Sequence, residues 1–139
     1  MRIVVDTNRI IAALLKSGTT RQILFDESFY FLTPDFTLME IKEHHDELRA
    51  KTRLNSTEFE LLLTLLFERI TIVPFSEYEH FLEQSALLLS DLDDAPCLAL
   101  ALGTKAAGIW SHDLHFQVQD KVKVFTNVDL FGLSERQEE

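Results

Sequence analysis

The chain has 139 residues, 46% of them hydrophobic, a length that suits one domain with a full core. Its net charge of −10, from 13 Lys and Arg against 23 Asp and Glu, argues against a passive nucleic-acid binder but not against an enzyme that recruits divalent cations. One cysteine excludes an internal disulfide and a cysteine-based zinc site, and no run approaches the ~20 apolar residues of a membrane span.

The elements follow in chain order. Residues 2–6 read as a short buried strand, entered directly with no signal-like stretch, so the expected compartment is cytoplasmic. A helix over about 8–16 ends before Gly18, and a short one is expected near 20–27. Phe29 to Leu32 reads as a second strand. Thr33-Pro34-Asp35 combines a cap, a first-turn proline and an acid at the helix start, which predicts a helix to about Ala50. Asn55-Ser-Thr-Glu58 reads as a capping box for a helix to about Glu68, followed by a strand over Ile70–Val73. Ser76-Glu-Tyr-Glu79 reads as a second box, opening a helix with the stripe Tyr78, Phe81, Leu82, Ala86 and Leu89. Asp93-Asp94-Ala95-Pro96 opens another helix, stopped by Gly103. Ala107–Ser111 and Val122–Phe125 read as the last strands, and the acidic tail 135–139 is expected to fray.

Gly and Pro are scarce, and neither repeat nor linker interrupts the chain. Strands alternating with helices predict one domain over 1–139. The fold class is α/β: a three-layer α/β/α sandwich around a central parallel sheet of about five strands. Ligands of such sheets bind beyond the carboxyl ends of the strands. Asp6 and Asp113 both follow apolar runs and fall there, and Asp94 precedes the helix that leads to the fourth strand.

Each acid also has an ordinary reading. Asp6 serves equally as a turn or cap residue, Asp93 and Asp94 as caps behind which Pro96 starts a helix, and Asp113 as a cap for the next short helix. Glu40 flanks the core side of its helix, where a solvated role is the default. Jointly these readings weaken, because acids converging on one strand end repel unless a cation compensates. Hard divalent ions, Mg²⁺ or Mn²⁺, suit such all-oxygen sites. Thr7 and Ser111 stand beside the strand-end acids, able to hydrogen-bond them.

The ordered set resembles the PIN-domain family. Its strand ending in Asp-Thr-Asn appears as Val5-Asp6-Thr7-Asn8, and its helical Glu as Glu40. The later acidic cluster before an Ala-rich helix appears as Asp91-Leu92-Asp93-Asp94, and the Thr/Ser-x-Asp after the fourth strand as Ser111-His112-Asp113. The resemblance spans nearly the whole chain. It implies a metal-dependent ribonuclease with Asp6, Glu40, Asp94 and Asp113 around Mg²⁺ or Mn²⁺, with Asp93 as an alternative to Asp94. Thr7, Asn8 and Ser111 would support them. Many family members of this size are VapC-type toxins neutralised by an antitoxin, and such domains commonly form homodimers. His112 stands where the family often has a small residue.

The remaining histidines, His44, His45, His80 and His115, read as structural or surface residues, and Cys97 and Trp110 as core. Arg9, Lys16, Arg21 and Lys42 are the basic residues near the expected mouth, read as ordinary surface charge or as phosphate contacts. The broad apolar arc of the 55–68 helix, with the Tyr78–Leu89 stripe, suggests a partner surface for a second copy or an antitoxin. Two other functions compete with an endoribonuclease. One is a non-catalytic PIN-like module binding RNA or protein. The other is a phosphoacceptor receiver, disfavoured because the first strand offers Asp6 alone and the third ends at Val73-Pro74.

Overall fold

The computed structural model describes residues 1–138, with side chains through Ser134. Strand β1 (Arg2–Val5) leads into helix α1 (Thr7–Leu15), and a short α2 (Thr19–Leu24) returns the chain to β2 (Tyr30–Pro34). Helices α3 (Asp35–Glu43), α4 (His45–Thr52) and α5 (Ser56–Phe67) precede β3 (Ile70–Val73). Two 3₁₀ turns, Phe75–Glu77 and Glu79–Phe81, come before α6 (Leu82–Leu88), and a third, Leu92–Asp94, opens α7 (Ala95–Thr104). Then follow β4 (Gly108–Trp110), a 3₁₀ turn over Leu114–Val118, β5 (Val124–Phe125) and α8 (Asn127–Glu138).

All strand pairs are parallel, and the order is β3-β2-β1-β4-β5. β1 lies in the middle because Ile3, Val4 and Val5 are wholly enclosed, as a strand covered on both faces requires. Alternation splits its side chains. Ile3 and Val5 join Phe31 and Trp110 in a core closed by α1, α2, α4, α5 and α8, while Val4 joins Leu32 and Ile109 in a core closed by α7. The three-layer sandwich follows. Gly108 has no room for a side chain: a Cβ there would stand 2.5 Å from the Phe125 ring and 2.7 Å from the Lys123 carbonyl. That close approach lets β5 seat against β4.

Three local expectations change. The helix expected from Thr33 to Ala50 is two helices. Thr33 completes β2 instead of capping, because its buried hydroxyl donates to the Val5 carbonyl at 3.0 Å. The chain then breaks at His44, whose ψ of 17° leaves the helical range. The second capping box does not form. Tyr78 turns into the core and donates to Asp35 Oδ1 at 2.5 Å, while Asp35 Oδ2 accepts the Phe75 N–H at 3.0 Å, so that stretch winds as 3₁₀ turns. Helix α8 was not foreseen. It starts where Thr126 and Asp129 cap each other reciprocally, at 2.9 and 3.3 Å, and it buries Leu130 completely. The Asn55–Glu58 box does form, at 2.8 and 3.2 Å. The tail 135–139, expected to fray, has its side chains and last residue outside the described part.

The apolar stripe read as part of a partner surface is core. Tyr78 is buried and Phe81 and Leu82 pack beneath it, on the sheet face opposite α5. The two segments therefore do not make one surface, although Leu61 and Leu65 on α5 are exposed.

Candidate metal centre

The strand order reverses between β1 and β4, so the turns leaving both open into one crevice. The Asp6 N–H donates to the Trp110 carbonyl at 3.1 Å and continues the ladder one step past β1, which brings its side chain to the rim of β4. There the Ser111 hydroxyl donates to Asp6 Oδ2 at 2.7 Å, and the Asp113 N–H donates to the Ser111 hydroxyl oxygen at 2.9 Å. Ser111 thus ties the two strand-end acids together. On the other side Thr7 donates to Glu40 Oε1 at 2.8 Å and lies 3.0 Å from the Thr37 hydroxyl, which fixes α3 against α1. Asn8 is exposed.

The capping explanations can be tested directly. Asp6 occupies the N-cap position of α1 and Asp94 that of α7, but neither side chain makes a cap hydrogen bond. Asp113 does cap, through Oδ1 to the His115 N–H at 2.9 Å, which leaves its other oxygen. Asp91 does the local work expected of Asp93 or Asp94, accepting the Asp93 N–H at 3.0 Å. Asp93 is exposed and acts on Glu40, whereas Asp94 is 9% exposed and feels Asp113 and Asp6. The two neighbours serve different parts of one acidic edge.

Electrostatics bear the strain of this arrangement. Burial pushes Asp94 up to about 7, with the charges of Asp113, Asp6 and Asp91 adding and His115 opposing. Burial also raises Asp6, against the hydrogen bond from Ser111, and raises Glu40, against the one from Thr7. Burial also pushes the Cys97 thiol up, and the charges of Asp6, Asp94 and Glu40 reinforce it. Among the described residues no Lys or Arg forms a salt bridge with any of these acids. Arg9 comes nearest in effect, as a minor stabiliser of the Asp6 charge.

Asp94 Oδ2 is closed to solvent and has no hydrogen-bond partner. A buried carboxylate oxygen in that condition is costly unless something positive meets it. Asp6, Glu40, Asp94 and Asp113 all offer carboxylate oxygen, the donor chemistry of a hard divalent ion, but among the described residues the group whose ligand atoms lie within 4.8 Å of one another is Asp91, Asp94 and His115.

Sequence reasoning foresaw Asp94 but gave no site role to Asp91, His115 or Asn127. Asp91, Asp94 and His115 each present a ligand atom within 4.8 Å of the others. The signal for His115 lay in Asp113-Leu-His115, two residues past a site acid, but its direction depended on a 3₁₀ turn. Asn127 is the third. It accepts from Trp110 Nε1 at 2.8 Å, donates from Nδ2 to Thr20 at 2.9 Å, and gives its N–H to His112 Nε2 at 3.1 Å. His112 is therefore turned toward α8, where it lines a cavity of about 270 Å³ beside Ser111. Arg21 donates to the Ala13 and Leu14 carbonyls and so closes the end of α1, where Lys16 also lies, far from Asp6, while Arg9 donates to the Thr20 hydroxyl at 3.4 Å.

The chain is similar to a solved structure, that of VapBC2 from Rickettsia felis bound to a DNA fragment from their promoter. The TM-score is 0.65 at 16% identity, covering 91% of this chain and 98% of that one. No curated protein matches the sequence. The PIN domain family matches residues 4–127, nearly the whole length over which the sheet and the acidic edge are built. The chain belongs to the PIN domain family.

Proposed function

We propose that the chain is a metal-dependent endoribonuclease that hydrolyses RNA phosphodiesters, with Asp6, Glu40, Asp94 and Asp113 holding Mg²⁺ or Mn²⁺. The observation that carries this reading is the enclosed Asp94 Oδ2, which no hydrogen bond meets, within an acidic edge that no described Lys or Arg bridges. When bound, the ion supplies an activated water and stabilises charge on the phosphoryl group under attack. The carboxylates act as ligands, not as nucleophiles. Ser111 holds Asp6 in position, Thr7 holds Glu40, and together they limit the reorganisation that binding requires. With its carboxyl pushed up to about 7, Asp94 holds its proton through mildly acidic pH in the metal-free chain and gives it up on binding.

The likeness to VapBC2 favours a second element of the reading, that the chain is the toxin of a toxin–antitoxin pair, and we infer that it acts in the cytoplasm. Exposed Leu92 and Leu114 flank the acidic edge, and Leu61 and Leu65 offer a separate apolar strip for a second copy. Among the described residues no helix is long and apolar enough to cross a membrane.

The test is cleavage of a panel of structured and single-stranded RNAs with Mn²⁺, Mg²⁺ or EDTA, with Asp6→Asn alongside. Metal-dependent cutting that disappears in the variant supports the reading. Undiminished cutting by Asp6→Asn, or no divalent-ion binding by the parent chain, overturns it.

A further inference from the structure

We propose that a groove running from Ser111 past Asn127 to Lys16 binds the RNA strand that leaves the acidic edge, unpaired, with bases stacked on His112 and Phe131. The inference rests on the preceding reading for its ligand and adds where that ligand lies.

Three adjoining cavities make the groove. One of about 270 Å³ opens beside Ser111 and His112, one of about 430 Å³ lies over Val128 and Phe131, and one of about 440 Å³ reaches Lys16. Asn127 borders all three, so they meet at one residue. That residue is held firmly: its side chain bonds Trp110 and Thr20, and its backbone N–H donates to His112 Nε2. The path begins at the serine that orients Asp6 and leads away from it. Helix α1 is nine residues long, so Lys16 at its end stands roughly 13 Å along the axis from its start.

Charge selects the occupant. The chain holds 23 Asp and Glu, yet none of them borders any of the three cavities. The cavity at the opposite end of the sheet, by contrast, is bordered by Glu27 and Glu68. Lys16 lines the far cavity, and Arg9 reaches the Thr20 hydroxyl behind it across a long 3.4 Å. Among the described residues neither cation forms a salt bridge, so both charges are left for an anion. A polyanion is repelled by a chain of net charge −10 as a whole and meets no carboxylate along this path.

The walls suit bases that have left their partners. Val128 is 81% and Phe131 46% exposed, an aliphatic face and an aromatic ring left to solvent beside polar Gln117 and Asn127. His112 commits Nε2 to the Asn127 N–H, which leaves Nδ1 to donate to a base. Aromatic rings for stacking, hydrogen-bonding edges and a few basic groups are how proteins hold single strands. A duplex keeps its base faces stacked inside and cannot use the rings.

The test is fluorescence anisotropy of labelled oligouridylate, single-stranded or paired with oligoadenylate, on the full Asp6→Asn chain in EDTA, where the strand stays whole. The single strand is expected to bind more tightly than the duplex. Phe131→Ala and His112→Ala should each weaken it roughly tenfold, and His112→Phe, which restores a stacking face, should recover most of the loss. Lys16→Ala should weaken it and lower the slope of log affinity against log salt by about one. Leu65→Ala, on the exposed strip of α5, should change nothing, and circular dichroism establishes that each variant is folded. Absence of strand binding, equal affinity for the duplex, or full binding by both Phe131→Ala and Lys16→Ala overturns the groove, and metal-dependent cutting by the parent chain then leaves the nuclease reading standing. A changed oligomeric state in Phe131→Ala with RNA binding intact gives the face to a second copy of the chain and likewise overturns the groove. Strand binding with the expected losses, in a parent chain that never cuts, supports the groove and overturns the nuclease reading.

Discussion

Asp26 stands where the chain enters β2, and Asp94 stands across the sheet where the strands leave it. Both lose solvent on folding, and in both cases burial alone pushes the carboxyl up. At Asp26 that push is outweighed: Ser134 and Ser28 hydrogen-bond the carboxylate and Arg69 lies near, so the group stays below its usual value. At Asp94 the neighbours are Asp113, Asp6 and Asp91, and the group rises to about 7. Arg69 also reaches the Leu24 and Asp26 carbonyls, so the entering end is a finished network. The lesson is that burial does not distinguish a structural aspartate from a site aspartate, whereas the sign of its surroundings does.

The contrast predicts unequal consequences. Asp94→Asn should abolish RNA cleavage, a larger loss than the roughly 10–100-fold that removal of a supporting group causes. The same variant should melt no lower than the parent, since a repelled charge has gone. A clear fall in melting temperature would show that Asp94 is structural after all. Ser111→Ala removes the bond that orients Asp6 and should weaken metal affinity about 10–100-fold with the fold retained, as read by titration and circular dichroism.

Saturating Mn²⁺, at a hundred times its dissociation constant, should stabilise the chain by about 2.7 kcal/mol and raise its melting temperature on the order of 10 °C. Asp26→Asn should keep that shift and Asp94→Asn should lose most of it. The pH dependence should divide the two ends as well. Asp94 holds its proton more tightly folded than unfolded, where its value is near 3.8. Its contribution to metal-free stability is therefore full below about pH 4 and lost as pH rises toward 7. Asp26 has the opposite sign: its contribution is present above its unfolded value and lost as pH falls through the lower folded one. Melting curves from pH 4 to 8 without metal should show the first effect, and Asp94→Asn should flatten it. The smallest change is Asp26→Ala, expected to cost about 1 kcal/mol in denaturant titration with metal binding untouched.

Much of this contrast was legible in the residues. Apolar β-branched runs marked β1 and β3, and an acid directly behind Val5 had to leave the sheet at its carboxyl end. Other features were not, because they depend on partners distant in sequence. Thr33 looked like a helix cap until β1 supplied the Val5 carbonyl. Asp93 and Asp94 were indistinguishable as neighbours, and only the 3₁₀ turn at Leu92–Asp94 turns one inward and the other out. His115 belongs beside Asp94 because Phe116 and Gln119 hold its turn. Asn127, with partners on α2 and β4, carries no local signal of its importance.

The bond between Ser111 and Asp6 joins residues 105 positions apart. A ribosome therefore delivers Asp6 long before the strand that completes its surroundings, and domains fold as units only once their parts have emerged. Until β4 and the turn behind it have been made, the early carboxylates have nothing to converge on. A chain released or cut short of that turn would lack the acidic edge altogether. On the proposed nuclease reading, the order of the strands thus acts as a timer, keeping the growing polypeptide chemically idle beside the very RNA on which it is being made.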